Sequence, residues 1–469
     1  MQLRAIAVLA AFLAVLLLAH AGEARADDRL TTGGSLATSG IPPHKFRPPH
    51  FLVERRQPKV EERIHMTGDW GGARTWLSEN GIIVDVQATQ FYQGVVDGAL
   101  DYGGKYGLKV DYFLTLLGEK LGLWKGFNVI MHGETRQGQD VNDQTGISPA
   151  NANLLAPTED DVTALTGLIL TQRLPDEWLL MAGKLNAWDF VDIVYHTGRG
   201  VDKFMNTSLL LPLGLAGTVP LGPLGGGILK LKGKEVQGAV LAYDPNNCAT
   251  TSCFDPAFNN GAGLVGLWKF FHGSQQGARQ AYISIGGTWS SKEYTVVDRN
   301  SITVVPGEGI ELTDKQTSWS IFGVAEQPLW VDPVNPNREL RFKGMYTLTD
   351  GVANPVKWTA TASLEMSGLV PGRDKDTIGV GYFHDGLAGD FKDTVGPLLS
   401  LAATLESFET TGSLDPKFVS VRNTNGLEVY YKAALTAWFA VTGDLQVITP
   451  NLSVEDTKVV TAVRGKIDF

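Results

Sequence analysis

Short runs in which apolar and polar residues alternate recur from Gly81 to the last residue, separated by Gly, Asn, Asp and Pro. At the end of the chain Val459, Thr461, Val463, Ile467 and Phe469 fall on one face of an extended segment, and Arg464, Lys466 and Asp468 on the other. Side chains point alternately to the two faces of a strand, so this pattern predicts a strand with an apolar and a charged side. Three further runs behave alike. Ile283, Ile285 and Trp289 alternate with Tyr282, Ser284 and Thr288; Leu340, Phe342, Tyr346 and Leu348 with Arg341, Lys343 and Thr347; Trp358, Ala360, Ala362, Leu364 and Met366 with Thr359, Thr361, Ser363 and Glu365. A fourth strand is expected where Leu435, Ala437, Phe439 and Val441 alternate with Lys432, Thr436 and Thr442.

Each run has roughly the 9–11 residues that a tilted strand needs to cross a bilayer. Aromatic residues lie near many run ends, as a girdle at the lipid–water boundary requires. A sheet in lipid cannot keep an open edge, because unpaired backbone groups find no water there. At some 20–25 residues per strand with its share of loop, the chain predicts an all-β fold: a closed antiparallel transmembrane β-barrel of about 16 strands (16–18). A soluble β-sandwich or propeller is the competing architecture, and no repeat of about 20–50 residues supports the propeller.

The N-terminus sets the compartment. Arg4 precedes an apolar run from Ala5 to Ala19, and small-x-small sites follow at Ala19-His20-Ala21 and Ala24-Arg25-Ala26. That is the pattern of a secretory signal peptide over residues 1–26, with cleavage expected before Asp27-Asp28. Residues 27–64, rich in Pro and charge, read as an extended arm, and residues 65–469 as the barrel. The uncharged stretch Phe204–Leu229 contains Pro212, Pro220 and Pro223, which exclude a continuous helix. A net charge of −10 argues against a nucleic-acid partner. With 54 glycines and 11 tryptophans, the composition suits strands half exposed to water. Cys248 and Cys253 are the two cysteines; outside the cytoplasm so close a pair predicts a disulfide stapling an exposed loop between Asp244-Pro245 and Asp255-Pro256. His65, His132, His196, His272 and His384 are scattered, so no metal site is expected. Glu159-Asp-Asp161 reads as an acidic loop. Neither a zinc-protease HExxH nor a nucleophile-elbow GxSxG occurs, and no cofactor is expected.

Met66-Thr-Gly-Asp-Trp-Gly-Gly-Ala-Arg74, with Leu77, Gly81 and Gln90-Phe-Tyr-Gln-Gly94, resembles the N-terminal signature of the carbohydrate-selective porins of the OprB type. Gly146-Ile-Ser-Pro-Ala-Asn151, Gly183-Lys-Leu-Asn-Ala-Trp-Asp-Phe190, Leu241-Ala-Tyr-Asp-Pro-Asn246 and Asp444-Leu-Gln446 with Pro450 continue the resemblance to Phe469. It implies a 16-stranded outer-membrane barrel that passes monosaccharides and similar small solutes by diffusion. In such barrels a terminal Phe is a common assembly signal. Asp69 and Trp70, among glycines, read as a turn or short plug element with a structural role.

A porin performs no covalent chemistry. It needs a wet lumen narrow enough that solutes touch the wall, with binding weak enough for release. In Phe127–Gly138, if Phe127, Val129 and Met131 face lipid, then Asn128, His132, Glu134 and Arg136 face the lumen. Read as one extended run, Leu180–Phe190 puts Lys184, Asn186 and Trp188 on a shared face. Charged and amide groups for hydroxyls, and an indole for sugar C–H faces, make His132, Glu134, Arg136, Lys184, Asn186 and Trp188 the predicted constriction. A charged wall that merely keeps the pore wet, with Trp188 a girdle aromatic, fits the same residues.

The expected function is therefore passive, carbohydrate-preferring diffusion of glucose-like sugars across the bacterial outer membrane. The alternatives are a general or ion-selective porin of the same fold, an outer-membrane enzyme, or a secreted sugar-binding β protein. Expected partners are small carbohydrates, outer-membrane lipid and lipopolysaccharide, and the outer-membrane assembly machinery. Both a homo-oligomer (trimer) and a monomer stay open.

Overall fold

The computed structural model describes residues 63–98, 102–155, 157, 161–255, 257–298, 301–305, 309–312, 315–411 and 418–469. The signal peptide, and the arm up to residue 62, lie outside the described residues.

Sixteen antiparallel strands close into one barrel. The first nine in chain order are β1 (Ile82–Asp97), β2 (Lys105–Leu117), β3 (Phe127–Gly138), β4 (Val162–Arg173), β5 (Trp178–Lys184), β6 (Leu224–Lys232), β7 (Glu235–Tyr243), β8 (Gly263–Gln276) and β9 (Arg279–Thr295). A two-stranded hairpin, β10 (Ile302–Val305) and β11 (Gly309–Leu312), sits in the next connection outside the barrel sheet. The barrel continues with β12 (Lys315–Val331), β13 (Glu339–Thr349), β14 (Val356–Ser367), β15 (Thr377–Leu387), β16 (Thr424–Ala434), β17 (Phe439–Thr449) and β18 (Lys458–Asp468). β1 pairs with β2 on one side and β18 on the other, Gln87 opposite Asp468, so no sheet edge is left open.

The alternation read from sequence is the alternation of the wall. On β9, Ile283 and Ile285 are exposed while Tyr282 and Ser284 are buried; on β18, Val463 is 55% exposed and Arg464 is fully buried. One expected strand is corrected: residues 435–438 form the turn between β16 and β17, with Leu435 N–H and Thr436 N–H both donating to Phe439 O. The chain reverses there because Ala437-Trp438 follows Thr436, whose hydroxyl accepts from the backbone of Trp438 and Phe439.

The longest connections all lie at one end of the barrel. Residues 118–126, 174–177, 233–234 and 435–438 are short turns at the end that also holds the C-terminus; residues 139–161, 185–223, 244–262 and 388–423 are long loops at the other end. Bacterial outer-membrane barrels have short periplasmic turns and long extracellular loops, so both ends of the barrel sequence lie on the periplasmic side. Among the described residues no helix is long and apolar enough to cross a membrane.

The TGDWGGAR stretch secures the seam between the chain ends. Asp69 Oδ1 accepts from Thr75 N–H and Thr75 Oγ1 at the start of helix α1 (Ala73–Glu79). Arg74 stacks over Trp70 at 4.4 Å and donates through Nη2 to a Phe469 oxygen at 2.5 Å, while Phe469 N–H donates to Val86 O.

Candidate solute pathway

Two of the long loops do not stand above the barrel; they fold into it. Val141, Ala150, Asn151 and Ala152 of the first, and Met205, Asn206 and Ser208 of the second, are completely buried. The second loop contains helix α2 (Ala187–Tyr195), then the short helices α3 (Thr207–Leu210) and α4 (Leu213–Ala216). Val194, Tyr195 and Leu215 pack on Leu241, Leu267, Tyr282 and Phe322 of the inner wall. Trp188, Phe204, Leu209 and Leu210 pack on Phe383, Tyr430, Ile448 and Val460 opposite. Each fully buried aliphatic or aromatic side chain contributes about 1.5–3 kcal/mol, so the loops are held as a core and not only tethered.

Polar wall side chains then capture the backbone of the loops. Lys109 Nζ donates to Asn153 O at 3.1 Å, Gln446 Nε2 to Ala150 O at 2.9 Å, Arg464 Nη1 to Gly200 O at 2.7 Å. Glu428 accepts the N–H groups of Met205 and Asn206 at 2.5 and 2.9 Å. At α2 the capture is polarised. Asn186 is the N-cap, its Oδ1 accepting from Trp188 N–H and Asp189 N–H. At the other end Lys269 Nζ donates to Val194 O and Lys343 Nζ to Tyr195 O, placing two ammonium groups where the helix dipole is negative.

This N-cap corrects the reading of Leu180–Phe190 as a single strand. β5 stops at Lys184, and Asn186 and Trp188 belong to the start of α2. Asn186 followed three residues later by Asp189 is a helix-start pattern, and it prevails over the alternation.

The structure brings His132, Glu134 and Asn186 together. His132 Nδ1 lies 2.6 Å from Asp189 Oδ2 and Nε2 lies 2.9 Å from Asp111 Oδ1. Glu134 pairs with Lys109 at 2.6 Å and accepts from Asn186 Nδ2 at 3.0 Å. Arg136 shares the strand face of Glu134 but pairs with Asp140 at 2.9 Å. Lys184 donates to the carbonyls of Leu165, Ala249 and Thr251. Trp188 lies in the apolar packing described above. Asp111, His132 and Glu134 are close enough for a metal ion, yet Lys109 and Arg199 already supply the positive charge they face.

The disulfide Cys248–Cys253 is present, with Cα atoms 5.4 Å apart. The loop is exposed, as expected, at Thr251, Ser252 and Phe254, but both cysteines within it are buried; Cys248 N–H donates to Gly222 O and Lys184 clamps the intervening carbonyls.

The groups that keep water contact inside the barrel are others. Gly198, Arg199 and Gly200 take φ values of 75°, 49° and 76°, a tight left-handed turn that glycine at two of three positions makes affordable. This turn makes residues 198–203 a tip aimed at β13–β18. Arg199 stacks over Phe113 at 4.9 Å and bridges Asp111 and Asp189. Asp202 meets Lys466 at 2.9 Å and Lys432 at 3.6 Å, and Lys203 meets Glu365 at 3.0 Å. Burial pushes the Asp202 carboxyl up, and the ammonium groups of Lys466 and Lys432 more than reverse it, so it titrates well below the usual range. Glu365, Lys432 and Lys466 were readable as lumen-facing from strand parity; Asp202 and Lys203 carried no periodic signal.

A closed sixteen-stranded barrel with an apolar belt, short turns at one end and a charged, loop-narrowed interior defines an outer-membrane porin. The chain belongs to the carbohydrate-selective porin, OprB family, whose model matches residues 100–469. It therefore provides a sugar-preferring passive route across the bacterial outer membrane. The fold is similar to that of Pseudomonas putida OprB at high pH, with 20% identity and a TM-score of 0.71 over 87% of this chain and 99% of that one. It is also similar to the low-pH structure of the same protein, with 16% identity and a TM-score of 0.53 over the same shares. No curated protein matches.

Proposed function

We propose that monosaccharides cross between the 198–203 tip and the inner faces of β13–β18, touching Asp202, Lys203, Glu365, Lys432 and Lys466. One observation carries this reading: the side chains of Asp202, Lys203 and Lys432 are 36%, 21% and 20% exposed, whereas those of His132 and Glu134 are 2% and 3%. Ammonium groups donate to sugar hydroxyls and carboxylates accept from them, and both signs face the gap, so a neutral polyol exchanges partners as it moves. On this reading His132, Glu134, Arg136, Lys184 and Asn186 hold the in-folded loops at their height, and Trp188 packs them. No covalent step is assigned to any residue; a lipase and esterase assay on the purified protein tests that. Phe469, clasped at the periplasmic seam, would be read by the assembly machinery before the barrel closes.

Block of single-channel current by glucose tests the path. Lys432→Met and Lys466→Met should each weaken the block several-fold and move ion selectivity toward cations. Should both variants bind sugar as the parent does while Glu134→Gln abolishes block, the path runs past the buried cluster instead. Liposome swelling with a graded sugar series then sets the size limit.

A further inference from the structure

Between the second in-folded loop and the inner faces of β7, β8, β9 and β12 lies a cavity of about 530 Å³. It is on the extracellular half, away from the 198–203 tip. Its walls are apolar: Phe190 and Leu215 from the loop side, Leu241, Leu267 and Phe322 from the barrel. That is unusual inside a water-filled channel, where inward positions are otherwise polar. Its size falls in the range of small-molecule sites, roughly 300–1,000 Å³.

Of the polar groups around it, Trp188 Nε1 and Thr207 Oγ1 have no hydrogen-bond partner among the described residues, and others are engaged with one another. Thr218 and Thr288 hydroxyls are 2.7 Å apart, Tyr243 OH donates to Thr218 O at 3.0 Å, and Tyr294 OH donates to Ser290 Oγ at 3.1 Å. A sugar, with hydroxyls all round, would lose its water there and gain few partners. Among the described lining residues one side chain is charged: Lys292, at the extracellular end of β9, next to Tyr294 and at 5.4 Å over its ring. No carboxylate is among the described lining residues to compete for it.

We propose that this cavity binds a small amphipathic carboxylate, an aromatic or medium-chain aliphatic acid, with the apolar body among Phe190, Leu215, Leu267 and Phe322 and the carboxylate against Lys292 at the mouth. The apolar body displaces water that the walls cannot hydrogen-bond, and the single cation selects one anionic group at the rim. The site is separate from the sugar path and does not depend on how sugars cross.

The test uses the full mature protein in lipid nanodiscs, titrated calorimetrically with 3-phenylpropionate, octanoate, their alcohols 3-phenylpropanol and octanol, and acetate. The parent should bind one 3-phenylpropionate or octanoate per chain and no acetate. Lys292→Met should weaken the acids about tenfold, the scale of a lost charge-assisted hydrogen bond, and leave the alcohols unchanged. Leu215→Trp, which fills the cavity, should abolish all four; Val265→Phe, a smaller filling from β8, serves if the first variant assembles poorly. Absence of saturable binding to the parent, equal binding of acids and alcohols, or binding that survives both fillings would each overturn the proposal.

Discussion

Asp202, at the tip of the second in-folded loop, sits 2.9 Å from Lys466 on the last strand of the barrel. The contact joins the most deeply inserted part of the loop to the wall beside the seam where β18 meets β1. Lys466 also lies 3.5 Å from Asp468, so it is held between two carboxylates, and Asp202 between two ammonium groups. Removing one member leaves the others uncompensated. Asp202→Asn should therefore release positive charge from Lys432 and Lys466 into the lumen, shift the reversal potential toward anion selectivity, and raise conductance by loosening the tip. Planar-bilayer recordings under a salt gradient check this; an unchanged reversal potential would place Asp202 away from the ion path.

The end of α2 offers a second lever. Lys269 and Lys343 supply donors for the carbonyls of Val194 and Tyr195 at its end. Lys269→Met and Lys343→Met should each cost about 1–3 kcal/mol locally, the usual cost of stranding a buried acceptor. Each also gives up a barrel carboxylate, Glu235 for Lys269 and Glu326 for Lys343, and Arg279 and Arg341 still compensate Glu326. The expected result is more open-channel noise and faster proteolysis near residues 196–203, with the β-sheet circular dichroism unchanged.

How far the sequence discloses this architecture depends on what each strand faces. β9, β13, β14 and β18 have lipid on one side and charges or hydroxyls on the other, so their parity is visible in the chain. β7, β8 and β12 place Leu241, Leu267 and Phe322 inward, because the in-folded loop packs on them; there both faces are apolar and the pattern blurs. The site follows the same logic. His132, Glu134 and Arg136 are correctly placed on the inner face of β3, since parity is a local property. The burial of His132 and Glu134 is not local: it comes from Asn186 and Asp189, far along the chain, whereas Arg136 is covered by its neighbour Asp140. Trp188 lies on α2 and not on a strand: three residues of alternation look the same in a strand and at a helix start, and the Asn186–Asp189 spacing with its cap geometry decides between them.

The seam makes a prediction about assembly. Arg74 Nη2 holds a Phe469 oxygen, and Arg74 Nη1 lies 3.5 Å from Asp85 on β1. Arg74→Met removes a charge-assisted contact worth about 1.5–3 kcal/mol at the strand pair that closes the barrel. Unheated samples on a denaturing gel should lose the folded band at a lower temperature than the parent, with channel selectivity unchanged. An identical melting of the folded band would show that β1–β18 pairing alone sets the seam.

The disulfide should behave as a local staple. The cysteines are five positions apart, so chain-entropy arguments give about 2 kcal/mol at most for so small a loop. Because Lys184 and Gly222 also hold residues 248–253, Cys248→Ser with Cys253→Ser should increase proteolysis of residues 244–262 and leave barrel melting within error. Free thiols titrated in the unreduced, unfolded parent would contradict the bond itself.

Acid provides the last prediction, because two of the carboxylates that anchor the in-folded loop, Asp189 and Asp202, lie outside the strands. Burial pushes the Asp189 carboxyl up, but the His132 imidazole and the Arg199 guanidinium outweigh it and hold Asp189 below its usual range; Asp202 is held low by Lys466 and Lys432. A group whose folded pKa is depressed stabilises the folded arrangement above its unfolded value, about 3.9 for Asp, and that stabilisation is lost as pH falls through the folded value. Asp189 and Asp202 should thus keep the loop docked from neutral pH down to about pH 4 and release it only below that. Conductance and open-channel noise recorded from pH 7 to pH 3 should be flat and then rise. The paired variant Asp189→Asn with Asp202→Asn should show the loosened state already at neutral pH and little further change on acidification. A transition centred near pH 6 in the parent, surviving in that variant, would assign the acid response to other groups.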